Sequence, residues 1–220
     1  MKNLVESVDV MKQLLIATKN KNKFREMRTA FQNLPFEIVS LEQFPNVPDA
    51  VEDGKTFADN ALIKAKFFGR LLNRACLADD SGLCVDALDG MPGVYSARYA
   101  ALRSTVDPDH AHDSADGENN RMLVSELERI GVNQSTAAYK CALAFVDVDG
   151  SVIQTEGICR GIIKKIPRGT GGFGYDPYFY IEDNLTMAEL TLDRKDKISH
   201  RGEALRKMVA AVSAWSEGKL

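Results

Sequence analysis

Two adjacent aspartates follow an apolar run of the chain directly. Residues 75–78 read Ala-Cys-Leu-Ala, which is typical of a buried strand, and Asp79, Asp80 and Ser81 come next. A carboxylate placed against a buried strand loses solvation, so it needs a cation or hydrogen bonds in compensation. The sequence therefore favours a hard divalent cation here, and the alternative is that Asp79 or Asp80 caps a helix or a turn.

A further acidic position, Glu52, lies in a loop rich in proline and acidic residues, residues 44–55. The loop precedes a predicted helix that opens at Thr56 in capping-box style, and Asn60 and Lys64 share one face of that helix. Mg²⁺ takes one or two carboxylates together with water and phosphate oxygens, so Glu52 and Asp80 would suffice as its protein ligands. Alone, an acidic loop is usually just solvated.

A polar turn links the first predicted strand, residues 14–17, to the first predicted helix. The unpaired N–H groups at the start of a helix, with lysines beside them, suit an anion. The alternative is that Asn20 or Asn22 only caps the helix and that the lysines are solvated. The residues of this turn are Thr18, Lys19, Asn20, Lys21, Asn22 and Lys23.

A glycine cluster at residues 169–174 precedes an aromatic strand. Glycines let the backbone approach a flat ligand, and Phe173 can stack on it. His200 and Arg201, further along, can donate hydrogen bonds to keto or phosphate oxygens. The glycine run is not a Walker A loop, because no Gly-Lys-Ser or Gly-Lys-Thr follows it.

These polar segments interrupt strands and helices that alternate as in an α/β fold. Asp149-Gly150 joins two β-rich runs and predicts a hairpin with a type I′ turn. Residues 1–10 are predicted to be an N-terminal extension, residues 102–120 a surface excursion, and residues 121–130 a helix. His110 and His112 in the excursion could suggest a metal site, but solvated loops often carry such residues.

The net charge is −3 and the isoelectric point about 5.7, so no general basic field exists for nucleic acid. No apolar run approaches the length of a membrane helix, and Glu6 and Asp9 stand where a signal peptide would be apolar. The four cysteines include no Cys-x-x-Cys pair and are expected to be structural. The composition predicts a cytoplasmic protein without a nucleic-acid or membrane partner.

Taken together, the polar segments closely resemble those of the inosine triphosphate pyrophosphatase family. The resemblance extends from Met11 over nearly the whole chain and keeps every segment in order. The matching segments are Ala-Thr-Lys-Asn at 17–20 with Lys23, residues 52–57 with Asn60, Ala61 and Lys64, and residues 78–83, 92–98, 172–177 and 199–201.

The resemblance implies a Mg²⁺-dependent, cytoplasmic homodimer. Its activity would be the hydrolysis of non-standard purine nucleoside triphosphates such as ITP, XTP and dITP to the monophosphate and pyrophosphate. The implied fold is α/β, an elongated mixed sheet bent into two lobes with flanking helices. Residues 11–220 would form this single catalytic domain, with the nucleotide in the cleft between the lobes.

The resemblance also assigns roles to residues. Glu52 and Asp80 would hold the metal, with Asp80 also the general base, while Lys64 would neutralise the phosphates and Ser81 would contact the substrate. The turn from Thr18 to Lys23 would bind the phosphates. The base pocket would consist of Phe173, Gly174, Tyr175, Asp176, Lys195, His200 and Arg201.

Two features depart from the family pattern. Lys19 stands where the family usually has glycine, so the backbone angle or the approach of the phosphates could differ there. The 102–120 excursion is richer in Asp and His than this point of the pattern usually is. Two other functions stay open: a pyrophosphatase for other modified or standard nucleotides, and a nucleotide sensor without catalysis.

Overall fold

The computed structural model describes residues 11–103 and 114–218. Its strands are β1 (Lys12–Ile16), β2 (Phe36–Ser40), β3 (Ala75–Val85), β4 (Gln134–Val146), β5 (Val152–Lys164), β6 (Phe179–Glu182) and β7 (Leu185–Thr186). Its α-helices are α1 (Lys21–Phe31), α2 (Phe57–Leu72), α3 (Ala115–Arg129), α4 (Leu192–Ile198) and α5 (His200–Glu217). The predicted extension 1–10 and both excursion histidines lie outside the described residues.

The strands form one mixed sheet in the order β2-β1-β3-β4-β5-β6-β7. β1 pairs in parallel with both β2 and β3, and every pairing from β3 to β7 is antiparallel. Helices pack on both faces, so the predicted mixed α/β class is confirmed. No helix within the described residues is long and apolar enough to cross a membrane.

The difference in length between β1 and β3 opens a gap in the sheet. β1 pairs with β3 only from Ala75 to Leu77, and the last backbone bond runs from Ala17 N–H to the Leu77 carbonyl, 2.8 Å. β3 continues to Val85 along β4. From residue 79 to residue 82, no described strand pairs with the edge of β3 that faces β1.

Strand alternation places the two aspartates of β3 on opposite faces of the sheet. Leu77 packs on the side of α1 and α5, whereas Ala78 packs on the side of α2. By the same alternation Asp79 faces α1 and α5, and Asp80 faces α2. The strand thus separates two carboxylates that are neighbours in sequence.

Three sequence predictions need correction. The aspartates lie inside β3 rather than in a turn after it, because β4 continues to pair with them. The predicted β4–β5 hairpin exists, but its loop spans residues 147–151, and only Gly150 there has a positive φ, 87°, whereas a type I′ turn needs two. The end of the predicted surface excursion is helical, since α3 begins at Ala115 and Ser114 caps it.

Candidate active site

Asp79 is the electrostatic centre of the site on the α1 and α5 side of β3. One of its oxygens, Oδ2, lies 2.9 Å from Lys23 Nζ and 3.4 Å from Arg201 Nε, and it accepts a hydrogen bond from Ser81 Oγ at 3.2 Å. The residue is 1% exposed. Burial acts to raise the pKa of Asp79, but Lys23, Arg201 and Lys64 together hold that pKa well below its usual range. Asp79 is therefore an anion that joins α1 to α5.

Asp80 has a different environment on the α2 side. Its carboxylate accepts hydrogen bonds from Asn60 Nδ2 and from the Ser81 backbone N–H, both at 2.9 Å. Burial raises the pKa of Asp80, and the Asn60 hydrogen bond and the charge of Lys64 offset this only in part. Among the residues that the structure describes, no ion pair reaches Asp80. It is a half-buried carboxylate held by neutral donors.

One face of α2 ties the acidic loop to β3. Lys64 Nζ lies 2.8 Å from Glu52 Oε2 and donates to the Asp79 carbonyl at 3.0 Å, within the gap of the β3 edge. Asn60 Oδ1 accepts the Gly54 N–H at 2.8 Å while its Nδ2 holds Asp80. The i, i+4 spacing of Asn60 and Lys64 therefore brings Glu52 and Asp80 to the same helix face.

A cavity of about 180 Å³ lies at this gap. Its wall combines the turn after β1, the acidic loop, α2 and β3, which the sequence separates widely. The predicted site residues that line it are Thr18, Lys19, Lys23, Glu52 and Lys64, together with Asp79.

The turn after β1 is fixed by its own side chains. Asn20 is the N-cap of α1, and its Oδ1 accepts the N–H groups of Asn22 and Lys23 at 2.9 and 3.1 Å. Thr18 Oγ1 accepts the Asn20 N–H at 3.2 Å. Asn20 therefore caps α1, and Lys23 pairs with Asp79 instead of being solvated.

Lys19 does not require the backbone freedom of glycine. Positive φ angles of non-glycine residues in the described chain occur at Asn73 and Asp89, and Lys19 is not among them. Its exposed Nζ lies 2.5 Å from Asp49 Oδ1, whereas Lys21 is exposed on the first turn of α1. The departure from the family's glycine therefore adds a surface ion pair at the rim of the cavity without left-handed strain.

Asp176 organises the glycine-rich segment. Its Oδ2 lies 2.5 Å from Lys195 Nζ and accepts the Phe173 N–H at 3.0 Å. Gly172 has a φ of 78°, and a Cβ there would lie 2.0 Å from Asp176 Oδ2, so only glycine fits. The Phe173 ring lies 4.8 Å from Lys195 Nζ and 5.7 Å from the Arg201 guanidinium carbon. The Phe173 ring therefore lies close to two cationic side chains, those of Lys195 and Arg201.

Helix α3 and the 92–98 segment support the same glycine-rich segment. The Gly174 N–H donates to Asp116 Oδ2 at 2.7 Å, and Asn120 Nδ2 donates to the Gly174 carbonyl at 2.9 Å. The Tyr175 hydroxyl donates to the Ser96 carbonyl at 2.8 Å. Asp116 and Asn120 were not predicted as site residues, because they lie in the stretch of chain predicted to be a surface excursion.

His200 is buried at the start of α5 and stacks on Tyr139, with ring centroids 4.8 Å apart and planes 12° apart. Burial lowers the pKa of His200 well below its usual range, and the nearby Arg201, Lys195 and Lys23 lower it further. The imidazole is therefore neutral in the folded protein. Tyr139 was not predicted as a site residue, because its position in a β-rich run indicates only a strand.

Arg201 is held by three acceptors and is 2% exposed. Besides Asp79, it donates from Nη1 to Glu26 Oε2 and from Nη2 to Ser81 Oγ, both at 2.9 Å. Three of its five N–H groups are thus engaged within the protein. Glu26 was also missed, although its position three residues after Lys23 on α1 puts both on one helix face.

The charges around the gap fit a divalent cation. Four cations, Lys19, Lys23, Lys64 and Arg201, lie among five carboxylates, those of Glu26, Asp49, Glu52, Asp79 and Asp80. A polyphosphate would add further negative charge, so this set needs another cation beside the two carboxylates on the α2 side. Within the described part of the chain, no three His, Cys, Asp or Glu side chains gather. Two carboxylates completed by water and phosphate oxygens suit Mg²⁺.

The chain is similar to known proteins over most of its length. The chain is 47% identical to a dITP/XTP pyrophosphatase of Geobacter sulfurreducens over 196 residues, covering 89% of this chain and 94% of the relative. It is 46% identical to a dITP/XTP pyrophosphatase of Geobacillus kaustophilus, covering 90% and 93%. A HAM1 protein from Coxiella burnetii superposes with a TM-score of 0.80 at 33% identity over 93% of this chain and 100% of that one. The profile of the Ham1 family matches residues 14–211, and this chain belongs to that family.

Proposed function

We propose that this protein hydrolyses dITP, XTP and related non-standard purine nucleoside triphosphates to the monophosphate and pyrophosphate. The observation that carries the proposal is the gap in the edge of β3, where lysines and carboxylates from four chain segments line one cavity. The relatives that match this chain over nearly its whole length are dITP/XTP pyrophosphatases.

Lys23 and Lys64 bind the polyphosphate in this proposal. Both are partly buried, and each pairs with a carboxylate, Lys23 with Asp79 and Lys64 with Glu52. An entering polyphosphate competes with those carboxylates for the two ammonium groups. The lysines then offset the charge that develops on the departing pyrophosphate.

Asp80 acts as the general base toward the water that attacks the α-phosphorus. Asn60 and the Ser81 N–H fix the orientation of its carboxylate through the two 2.9 Å hydrogen bonds. No lysine or arginine in the described chain pairs with it, so its oxygens remain available to water. The role assigned to Asp80 by resemblance is thereby consistent with its environment.

The cofactor we infer is Mg²⁺, held by Glu52 and Asp80. When bound, it offsets phosphate charge and makes nearby water more acidic. The fit rests on the excess of carboxylates over cations around the gap.

The purine lies against Phe173 in this proposal. Donors near that ring, such as Lys195, favour a keto oxygen and oppose the amino group of adenine. A site that leaves a buried polar group unpaired can discriminate between substrates by up to about 10⁴–10⁵. Guanine also carries the keto group, so its rejection depends on contacts at the 2-position.

Pyrophosphate release from ITP, XTP, dGTP and ATP, with and without Mg²⁺, tests the proposal. We expect Mg²⁺-dependent turnover of ITP and XTP and much weaker turnover of ATP. Preference for a standard or pyrimidine nucleotide would favour the broader pyrophosphatase, and ITP binding without pyrophosphate release would favour the sensor. Either result would overturn the proposal.

Asp80→Asn tests the mechanism in the same assay. We expect kcat to fall by about 10²–10⁴, the usual contribution of a general base. Asp89→Asn is the matched control, because Asp89 is exposed and has a φ of 52°, a conformation that asparagine also adopts. Turnover of the Asp80 variant equal to that of the control would exclude this role.

We further infer a cytoplasmic homodimer, on the basis of the family resemblance and the composition. Light scattering on the purified protein measures its molar mass and decides between one copy and two.

A further inference from the structure

The edge of β3 gains a new partner directly after the gap. The Leu83 N–H donates to Ser96 Oγ at 2.9 Å, Cys84 forms a bridge with Pro92, and the Val85 N–H donates to the Met91 carbonyl at 3.0 Å. The 91–96 segment thus takes the place that β1 leaves. This pairing places the 92–98 motif next to the proposed site.

The approach between β3 and Ser96 is close. A Cβ on Gly82 would lie 2.3 Å from Ser96 Oγ and 2.6 Å from the Gly93 carbonyl oxygen. Ser96 Oγ also donates to that carbonyl at 2.6 Å, which fixes the hydroxyl as an acceptor for Leu83. On the edge of β3 that faces away from β4, the first contact after Ser81 is therefore made by one serine.

The main chain of the same serine holds the other half of the site. The Tyr175 hydroxyl donates to the Ser96 carbonyl in a buried hydrogen bond, and Tyr175 directly precedes Asp176. Asp176 in turn binds Lys195 and the Phe173 N–H. Ser96 is thus hydrogen-bonded both to the strand that carries Asp80 and to the segment that carries Phe173.

We propose that Ser96 is a positioning residue for the hydrolysis. It fixes Asp80 and Ser81 relative to the aromatic segment, so that a nucleotide seated on Phe173 presents its α-phosphorus to Asp80. The inference rests on the proposed function. Since a displacement of about 1 Å of a reacting group can cost a factor of 10² in rate, loss of the serine hydroxyl should act mainly on kcat. The lysines that bind phosphate lie on other elements and keep KM close to its wild-type value.

Ser135 provides a matched control. Its Oγ accepts the Ala87 N–H at 3.0 Å and donates to the Thr136 carbonyl at 2.8 Å, and it is 8% exposed, as Ser96 is. Both serines thus fix a backbone N–H near the end of β3, but Ser135 acts beyond Val85, away from the gap. Ser96→Ala and Ser135→Ala each leave one such N–H without its acceptor.

The experiment measures kcat and KM for ITP and the melting temperature of both variants. We expect similar decreases in melting temperature, a kcat at least tenfold lower for Ser96→Ala, and a kcat within twofold of wild type for Ser135→Ala. Equal kcat values for the two variants would show that Ser96 is only structural and would overturn the inference.

Tyr175→Phe decides the question if Ser96→Ala does not fold. It removes the donation to the Ser96 carbonyl and keeps the ring, and we expect at least a fivefold loss in kcat/KM for ITP; unchanged kinetics would overturn the inference. A wild-type protein that does not hydrolyse ITP would instead refute the proposed function itself. Active wild type with unaffected variants refutes the positioning role alone.

Discussion

Asparagine substitutions at the adjacent residues Asp79 and Asp80 should affect different properties. Asp79→Asn should mainly lower stability, and Asp80→Asn should mainly lower turnover. Asp79 pairs with Lys23 and Arg201 and is buried, whereas Asp80 is held by neutral donors. Asp79→Asn removes the negative charge that pairs with partly buried Lys23 and buried Arg201. Asp80→Asn removes a charge that burial already disfavours.

The magnitudes follow from these contacts. Breaking a buried ion pair costs about 3–5 kcal/mol, and Arg201 keeps Glu26 as a partner, so we expect the lower end, about 3 kcal/mol, for Asp79→Asn. For a chain of this length, that corresponds to a melting temperature lower by about 6–12 °C. Asp80→Asn loses one hydrogen bond at most, about 1 kcal/mol.

Urea denaturation monitored by circular dichroism measures both free energies of unfolding, and pyrophosphate release measures turnover. We expect Asp79→Asn to lower the free energy of unfolding. We expect Asp80→Asn to lower turnover while its free energy of unfolding stays within about 1 kcal/mol of the wild-type value. If both variants lost the same stability, the two carboxylates would share one environment. The assignment of Asp79 and Asp80 to opposite faces of β3 would then be wrong.

Three further predictions concern single residues. Burial favours the neutral form of His200 in the folded protein, whereas the unfolded chain takes up a proton near pH 6.5. The free energy of unfolding should therefore fall below that pH, by up to about 1.4 kcal/mol per pH unit. His200→Phe should reduce this pH dependence in urea titrations from pH 7.5 to 5. Gly172→Ala should raise KM for ITP at least tenfold because its Cβ meets Asp176, whereas Gly150→Ala in the β4–β5 loop, with a similar positive φ but open space, should change KM less than threefold. Lys19→Gly should leave KM within about twofold and stability within about 1 kcal/mol, because it removes only an exposed ion pair; a larger change in either would show that this lysine contributes to phosphate binding.

The sequence predicts the elements well where periodicity and local turns decide them. The strand, turn and helix at residues 14–31 and the β4–β5 hairpin are examples, because hydrophobic spacing and capping act over a few residues. The prediction of a type I′ turn was wrong, because the Asp149-Gly150 pair lies in a longer loop, residues 147–151. The start of α3 was also misplaced, because its first turns are polar and lack an apolar stripe.

The site could be predicted only in part. Residue types at the ends of apolar runs indicated the polar turn at residues 18–23 and the acidic residues as site candidates, but not which partners they contact. Arg201 and Asp79 are 122 residues apart, and their contact depends on the packing of α5 against β3. Asp116 and Ser96 act through one hydrogen bond each to the glycine-rich segment, and no local pattern marks such long-range contacts.

The short length of β1 accounts for the position of the site. Had β1 continued beyond Ala17, its backbone would have paired with the edge of β3 at Asp79 and Ser81. Instead Lys64 binds the Asp79 carbonyl, and the Asp80 side chain accepts the Ser81 N–H. Side chains thus satisfy buried backbone groups where a strand would otherwise do so, and the space left by the missing strand becomes the cavity. The chemistry that we propose lies where the sheet is incomplete, and the 91–96 segment sets where that gap ends.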